Sequence, residues 1–313
     1  MAFLPRTKQS MAAGLGLTLL WAYWPVLSDV AARWSNDPKY SHGYLVPVFA
    51  LWLLWKRLRQ AGPQADGQGS GAQWWGLAFL LPGIGLHLAG VYVYLDWLSE
   101  VSLLLSLAGL CQSVGGWRLL RIAGPSIGFL AFMLPLPFRV EIAMGYPLQH
   151  LATVAGTYLL ELLGFCASAQ GNTIVLNNKT IDVVEACSGL GMVVTFFALA
   201  VAVAIVLDRP LLDRIVVVAS AVPVSLFANI IRITATGILA ETVGGPIADV
   251  VFHTLAGYLM MTLAAGLIWL ELKILSRLLV AVPVEGKMDI DLALGMMSSS
   301  VADKRRRKVP VGK

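Results

Sequence analysis

Charged side chains are scarce in this 313-residue chain. Asp, Glu, Lys and Arg make up 13% of it and hydrophobic residues 58%, whereas about a quarter of the residues in a soluble domain are charged. That balance excludes an ordinary soluble enzyme and predicts a polytopic membrane protein. The formal net charge is +5, but the basic residues fall in short clusters at the ends of apolar runs. Such clusters orient a protein in a membrane, and they do not indicate a nucleic-acid partner.

Cysteine is also rare. The chain has three, Cys111, Cys166 and Cys187, and no two of them have the spacing of a CxxC motif. This excludes a disulfide framework and a zinc knuckle. A metal site built from Cys187, His253 and His42 would lack a fourth ligand. We therefore predict no metal and no cofactor, and any cysteine chemistry is that of one thiol acting alone.

Long apolar runs are abundant, and a helix that crosses a bilayer needs about 20 such residues. Basic clusters follow alternate runs, and the positive-inside rule puts these clusters in the cytoplasm. The sequence thus predicts an all-α polytopic protein of the cell inner membrane, with about eight transmembrane helices and with both termini cytoplasmic. The predicted helices cover residues 11–28, 43–57, 74–94, 97–114, 119–136, 187–207, 214–239 and 253–275.

Residues 138–165 are apolar but also carry charged groups, including Arg139 and Glu141. We predict that Pro147 breaks this segment and that the segment is interfacial or re-entrant, without a net crossing. The following stretch, GNTIVLNNKTIDVVEA, has β-branched residues on either side of Asn177 and Asn178. It predicts a small extracytoplasmic β-hairpin, since asparagine tolerates the positive φ of a tight turn. Residues 1–280 then form the transmembrane domain, and residues 281–313 form a polar, basic cytoplasmic tail.

Three residues are predicted to meet at the outer surface of the membrane. Cys187 begins a run that leads inward, and His253 begins the last inward run. Arg232 lies 18 residues beyond the cytoplasmic Arg214, a helical rise of about 27 Å that nearly equals the hydrocarbon thickness. Asn229 precedes Arg232 by three residues on the same helix face. The pair indicates a polar stripe directed away from lipid.

These residues have the chemistry of acyl transfer. A cysteine at a helix N-terminus gains thiolate character, an imidazole can accept its proton, and an arginine stabilises a developing oxyanion. The small residues after Cys187 let a substrate backbone approach the sulfur. Glu185 orients His253 or Arg232, or it only ends the hairpin. His42 contacts the substrate, or it has a structural role where the helix begins. The predicted catalytic residues are Cys187, Arg232 and His253, and the predicted substrate-binding residues are Asn229, Ser188, Gly189, Glu185 and His42.

The motifs resemble those of the exosortase/archaeosortase family of membrane cysteine transpeptidases, of the bacterial exosortase type. The resemblance rests on ACSGL at 186–190, NIIRI at 229–233, His253 and YSHGYLVP at 40–47, and it covers about residues 10–280. It implies that Cys187 is the nucleophile, that Arg232 stabilises transition-state charge and that His253 is the general acid and base.

The same resemblance implies the substrates and partners. These are secreted proteins with a C-terminal sorting signal of the PEP-CTERM kind, cut at the outer face of the inner membrane among its lipids. The acyl group then passes to an acceptor, which neither the residues nor the resemblance identifies.

A transporter or export component is the alternative from another functional class, with Arg232 and Asn229 lining a polar path for an anionic solute. Arg232 suits either function, but a transporter does not need a reactive cysteine. Thiol alkylation distinguishes the two, because it abolishes an acyltransferase and leaves such a transporter active.

Overall fold

A computed structural model describes residues 6–62, 73–177, 179–182, 189–207 and 210–242, with short stretches at 262–263, 266–267, 269–271 and 273–274. Four of the predicted site residues, Glu185, Cys187, Ser188 and His253, lie outside the described residues. So does most of the predicted helix at 253–275. The chain divides into two units, Met1–Leu270 and Glu271–Lys313, and everything below concerns the first. The domain boundary predicted at residue 280 stays a prediction.

The described part of the first unit is mostly helical. Among the described residues, three apolar helical stretches are long enough to cross a membrane, Trp74–Val93, Asp96–Met133 and Leu211–Thr242, and the bent pair α1–α2 makes a fourth if it is one span. The helices are α1 (Arg6–Ala22), α2 (Trp24–Asn36), α3 (Leu45–Ala61), α4 (Leu77–Val93), α5 (Asp96–Phe129), α6 (Phe138–Leu162), α7 (Leu190–Val206) and α8 (Leu211–Thr242). Short 3-10 helices cover Pro38–Tyr44, Gln73–Gly76 and Leu130–Met133.

The helix α5 reverses its direction at Gly116, whose backbone is non-helical with φ 64° and ψ −164°. Arg33 is 3.1 Å from Asp96 at the start of α5, and the indole N–H of Trp34 donates to the carbonyl of Met133 just past its end. In a straight helix, residues 96 and 133 would be about 55 Å apart. Because they contact the adjacent residues Arg33 and Trp34, α5 must consist of two antiparallel arms. The arms coincide with the separate helices predicted at 97–114 and 119–136.

Helix α4 packs closely against the first arm of α5 through a repeat of small residues. Gly76, Gly83 and Gly90, each seven residues apart, face Ser113, Ser106 and Ser99 in turn. A Cβ atom on Gly83 would lie 2.8 Å from the Ser106 hydroxyl oxygen, so only glycine lets the helices approach this far. Small residues at such contacts are typical of helices that pack inside a membrane.

The two ends of the helix assembly differ in charge. At one end, which we call the basic end, Arg118 donates to the carbonyl of Ala61, and Lys56, Arg57 and Arg214 line a common cleft. The opposite end carries the 3-10 helix Pro38–Tyr44, which we call the 38–44 segment, and the start of α7. We call it the motif end, since the start of YSHGYLVP and the last two residues of ACSGL, Gly189 and Leu190, lie there.

The prediction that Pro147 breaks residues 138–165 is wrong, because α6 continues through Pro147 from Phe138 to Leu162. An interior proline removes one backbone hydrogen bond and crowds the carbonyl four residues earlier, at a cost of about 3 kcal/mol that tertiary packing can offset. The packing here is on α8: Gly156 approaches Ile233, and Leu160 approaches Gly237. Glu141, in the first turn of α6, pairs with Lys39 of the 38–44 segment. Helix α6 therefore begins at the motif end and packs along α8. That it is interfacial or re-entrant stays a prediction.

A three-stranded antiparallel sheet follows α6, in the order β1 (Ala167–Gln170), β2 (Thr173–Leu176) and β3 (Lys179–Asp182). The predicted hairpin is confirmed, and Asn177 adopts the expected positive φ, 51°. Strand β1 was not predicted, since its sequence, ASAQ, has low β-propensity. Ile174 and Leu176 of β2 pack with Leu160 of α6 and Ile233 of α8 in a small apolar core.

Candidate active site

The start of α7 is held against α8 by a glycine. Gly189, the N-cap residue of α7, has a left-handed backbone with φ 83°. A Cβ atom at this position would lie 2.8 Å from the side-chain nitrogen of Asn229, which is fully buried. The contact therefore requires glycine twice, for its φ and for its lack of a side chain. It brings together two predicted site residues that are 40 positions apart in the chain.

Arg232 lies three residues beyond Asn229 on α8, so the two side chains leave the helix on neighbouring sides. The arginine is half-buried. The hydroxyl of Thr236 donates to the carbonyl of Arg232 at 2.8 Å, which commits that hydroxyl to the backbone of its own helix. Gly189 and Asn229 are thus in contact at the start of α7, and Arg232 follows Asn229 by about one turn of α8.

The 38–44 segment packs directly on the first turns of α7. A Cβ atom on Gly191 would lie 2.9 Å from the Cα atom of Lys39, so the two backbones are in close contact. One α7 turn further, the hydroxyl of Thr195 lies 3.1 Å from Nδ1 of His42. The 38–44 segment and the first turns of α7, separated by about 150 residues in sequence, are therefore neighbours in the described structure.

His42 is buried between α7 and the end of the second α5 arm, with 4% of its surface exposed. Its Nε2 atom lies 3.2 Å from the carbonyl of Phe132. A carbonyl can only accept, so Nε2 carries the ring proton and donates it. Burial lowers the pKa of His42, which keeps the imidazole neutral. Both ring nitrogens have protein partners, so His42 holds the 38–44 segment in place, and the substrate contact predicted from the sequence stays a prediction.

Sequence reasoning missed an ion cluster at the same place. Lys39 pairs with Glu141 of α6, and its ammonium nitrogen is 3.6 Å from a carboxylate oxygen of Asp37. The partners Lys39 and Glu141 are 102 positions apart, and no local pattern links them. The backbone N–H of Leu136 donates to the hydroxyl of Tyr40 at 3.2 Å, and burial raises the pKa of Tyr40 to about 12. These contacts tie the segment to α6 as well as to α7.

A cavity of about 360 Å³ opens beside these groups, next to Leu190 at the start of α7. One face of α6 forms its wall with residues spaced at helical intervals, namely Phe138, Glu141, Ile142, Gly145, Tyr146 and Gln149. The cavity also reaches Asp37 and Lys39. The cavity therefore borders the start of α7 through Leu190, the residue that follows Gly189.

The two other cysteines lie elsewhere. Cys111 is partly buried in the first arm of α5, and Cys166 is exposed just before β1. Among the described residues, no group of three or more His, Cys, Asp or Glu side chains is arranged to hold a metal ion.

We expect Gly189→Ala to destabilise the protein more than Gly164→Ala. Gly164 also has a positive φ, 90°, but a Cβ atom there would meet nothing within 4 Å. Both variants carry the left-handed backbone cost of about 1–2 kcal/mol, and Gly189→Ala adds overpacking of about 1–3 kcal/mol against Asn229. Thermal unfolding of the detergent-solubilised protein measures both. Equal losses in the two variants would contradict the contact between Gly189 and Asn229.

Comparison with known proteins is informative at the level of the family. No curated protein and no solved structure matches the chain. The family model described as Transmembrane exosortase (Exosortase_EpsH) matches residues 34–270, about three quarters of the chain. The matched region begins at Trp34, just before the 38–44 segment, and extends through α7 and α8. The chain belongs to the transmembrane exosortase family.

Proposed function

We propose that this protein is a cysteine transpeptidase that cleaves PEP-CTERM-like sorting signals at the outer face of the inner membrane and transfers the new acyl end to an acceptor. Exosortases are membrane transpeptidases that process C-terminal sorting signals. The observation that carries the proposal is the packing of Gly189 against Asn229, one turn from Arg232. It supports a site at the start of α7, two residues after Cys187.

In the first step His253 accepts the thiol proton of Cys187, and the thiolate attacks the carbonyl carbon of the scissile peptide bond. Cys187 precedes the N-terminus of α7, where the helix dipole is positive, and this position favours the thiolate form of its side chain. The carbonyl oxygen becomes an oxyanion, which the guanidinium of Arg232 stabilises. The carbon–nitrogen bond then breaks, His253 returns its proton to the leaving amine, and a thioester remains on Cys187.

In the second step the acceptor loses its proton to His253 and attacks the thioester carbonyl. The carbon–sulfur bond breaks, and the proton on His253 returns to the sulfur, which restores the thiol. Ser188 is small enough to leave room for the substrate backbone. Asn229 is fully buried, so in place of the predicted substrate contact it holds Gly189 at the start of α7. Glu185 orients His253 or Arg232 in this mechanism.

The distribution of charge supports a site on the outer side. The basic end carries Lys56, Arg57, Arg118 and Arg214, and basic residues favour the cytoplasmic side of a membrane. The motif end would then face the periplasm. A secreted substrate whose signal ends in a transmembrane helix and a basic tail would present its scissile bond at that level.

Cys187→Ala should abolish the processing of a co-expressed protein that carries a PEP-CTERM signal, while the variant inserts and accumulates normally. The change removes only a sulfur atom, and with it the nucleophile. Mass spectrometry of the substrate's C-terminus gives the readout. Cys111→Ala and Cys166→Ala are the matched controls and should process the substrate as the unmodified protein does. Processing by Cys187→Ala would refute the cysteine mechanism.

Arg232→Lys separates charge from geometry. If Arg232 stabilises an oxyanion through its planar array of donors, lysine supplies a charge in the wrong place. The loss of one such contact costs about 3 kcal/mol, or about a hundredfold in rate. In pulse-chase labelling, we expect Arg232→Lys to be expressed normally but to process the substrate about a hundredfold more slowly than the unmodified protein does. The control is Arg139→Lys on the exposed surface of α6, which should be neutral. Near-normal turnover by Arg232→Lys would exclude the catalytic role.

A further inference from the structure

A second cavity lies at the motif end, on the other side of α2, and has no part in the proposed reaction. Helices α1 and α2 meet at an angle of 63° around Tyr23. The hydroxyl of Tyr23 is fixed to the first arm of α5, at 2.9 Å from each of Ser102 and Ser106. Helix α2 therefore diverges from the α4–α5 pair, and the ion pair of Arg33 with Asp96 joins them again at the far rim. The space between them is about 330 Å³, and we call it the Glu100 cavity.

The lining of the Glu100 cavity is acidic. It contains the carboxyl groups of Asp29, Asp96 and Glu100, and Asp96 is paired with Arg33 at the rim. No lysine or arginine belongs to the lining itself among the described residues. Glu100 is 3% exposed, and its Oε2 atom has no hydrogen-bond partner within the described part of the chain. The Nδ1 atom of His87, also in the lining, is buried without a partner there. A buried polar atom without a partner costs free energy. In the tautomer that carries its proton on Nε2, His87 offers Nδ1 as an acceptor, and both atoms then suit a ligand that supplies N–H groups and positive charge.

The rest of the lining indicates an organic cation and not a metal ion. The described side chains include no group of three carboxylates, histidines or cysteines arranged to hold a metal. Pro25, Val26 and Val91 give the cavity apolar walls that suit a carbon chain. Its volume is that of about ten water molecules, enough for an ammonium group on two carbons. Tyr94, 92% exposed at the rim, is the kind of residue found at the membrane–water interface.

We propose that the Glu100 cavity binds a primary ammonium group of the ethanolamine type. The N–H groups of the ligand donate to Glu100 and His87, and Asp29, which has no ion pair among the described residues, adds to the negative potential that attracts its charge. Ethanolamine occurs as the headgroup of a phospholipid and as a free amine, and the chemistry of recognition is the same for both. The site is separate from the start of α7 and does not depend on the proposed transpeptidase activity.

The test measures binding of two matched cations to the purified full-length protein in detergent. Ethanolamine has three N–H donors, whereas choline has the same charge and carbon chain but no N–H donor. At equal ionic strength, ethanolamine should raise the unfolding temperature in a saturable way, and choline should bind at least tenfold more weakly. Glu100→Gln should weaken ethanolamine binding at least tenfold. Glu161→Gln, a change of the same type on the exposed surface of α6, should leave it unchanged.

The lipid form is tested in nanodiscs that contain either phosphatidylethanolamine or phosphatidylcholine, with retained lipid measured by native mass spectrometry. Selective retention of phosphatidylethanolamine, lost in Glu100→Gln, identifies a headgroup site, and binding of free ethanolamine alone identifies a soluble ligand. If Glu100→Gln fails to fold, Asp29→Asn at the exposed rim replaces it and should lower affinity severalfold. Equal binding of ethanolamine and choline, no binding of either form, or binding that both variants leave unchanged would overturn the proposal.

Discussion

The close approach of Gly189 to Asn229 is the contact on which the site at the motif end depends. A left-handed glycine directs the chain into α7, and the buried amide of α8 occupies the space that any side chain at position 189 would fill. The 38–44 segment then closes the other side of α7 through Lys39 and His42. Helix α6 is fixed to that segment by Glu141. Four parts of the chain that are distant in sequence therefore meet where α7 begins.

Much of this arrangement could be predicted from the sequence, because it follows from local patterns. Hydropathy predicts the apolar helices, including the two arms that α5 joins at Gly116. The alternation of β-branched residues around Asn177 predicts the hairpin. Spacing along α8 predicts that Asn229 and Arg232 share a face, and the burial of Asn229 agrees with a stripe that avoids lipid. Each of these inferences uses residues within about one helix of each other.

The features that the sequence did not predict depend on distant partners. Nothing near Lys39 indicates that it pairs with Glu141 or packs on Gly191, since those partners come from α6 and α7. Strand β1 forms because β2 offers it a backbone edge, despite a sequence with low β-propensity. The continuity of α6 through Pro147 likewise depends on its packing against α8. Local propensity is a weak guide wherever tertiary contacts supply most of the stability.

The central claim is that the motif end faces outward, where secreted substrates are, and thiol labelling tests it most directly. In a chain whose three native cysteines are replaced by alanine, single cysteines are introduced at Ser168, exposed on β1, and at Leu211, 72% exposed at the start of α8. A membrane-impermeant maleimide applied to intact spheroplasts should label position 168. It should label position 211 only after permeabilisation. Labelling of position 211 and protection of position 168 in intact spheroplasts would contradict the account.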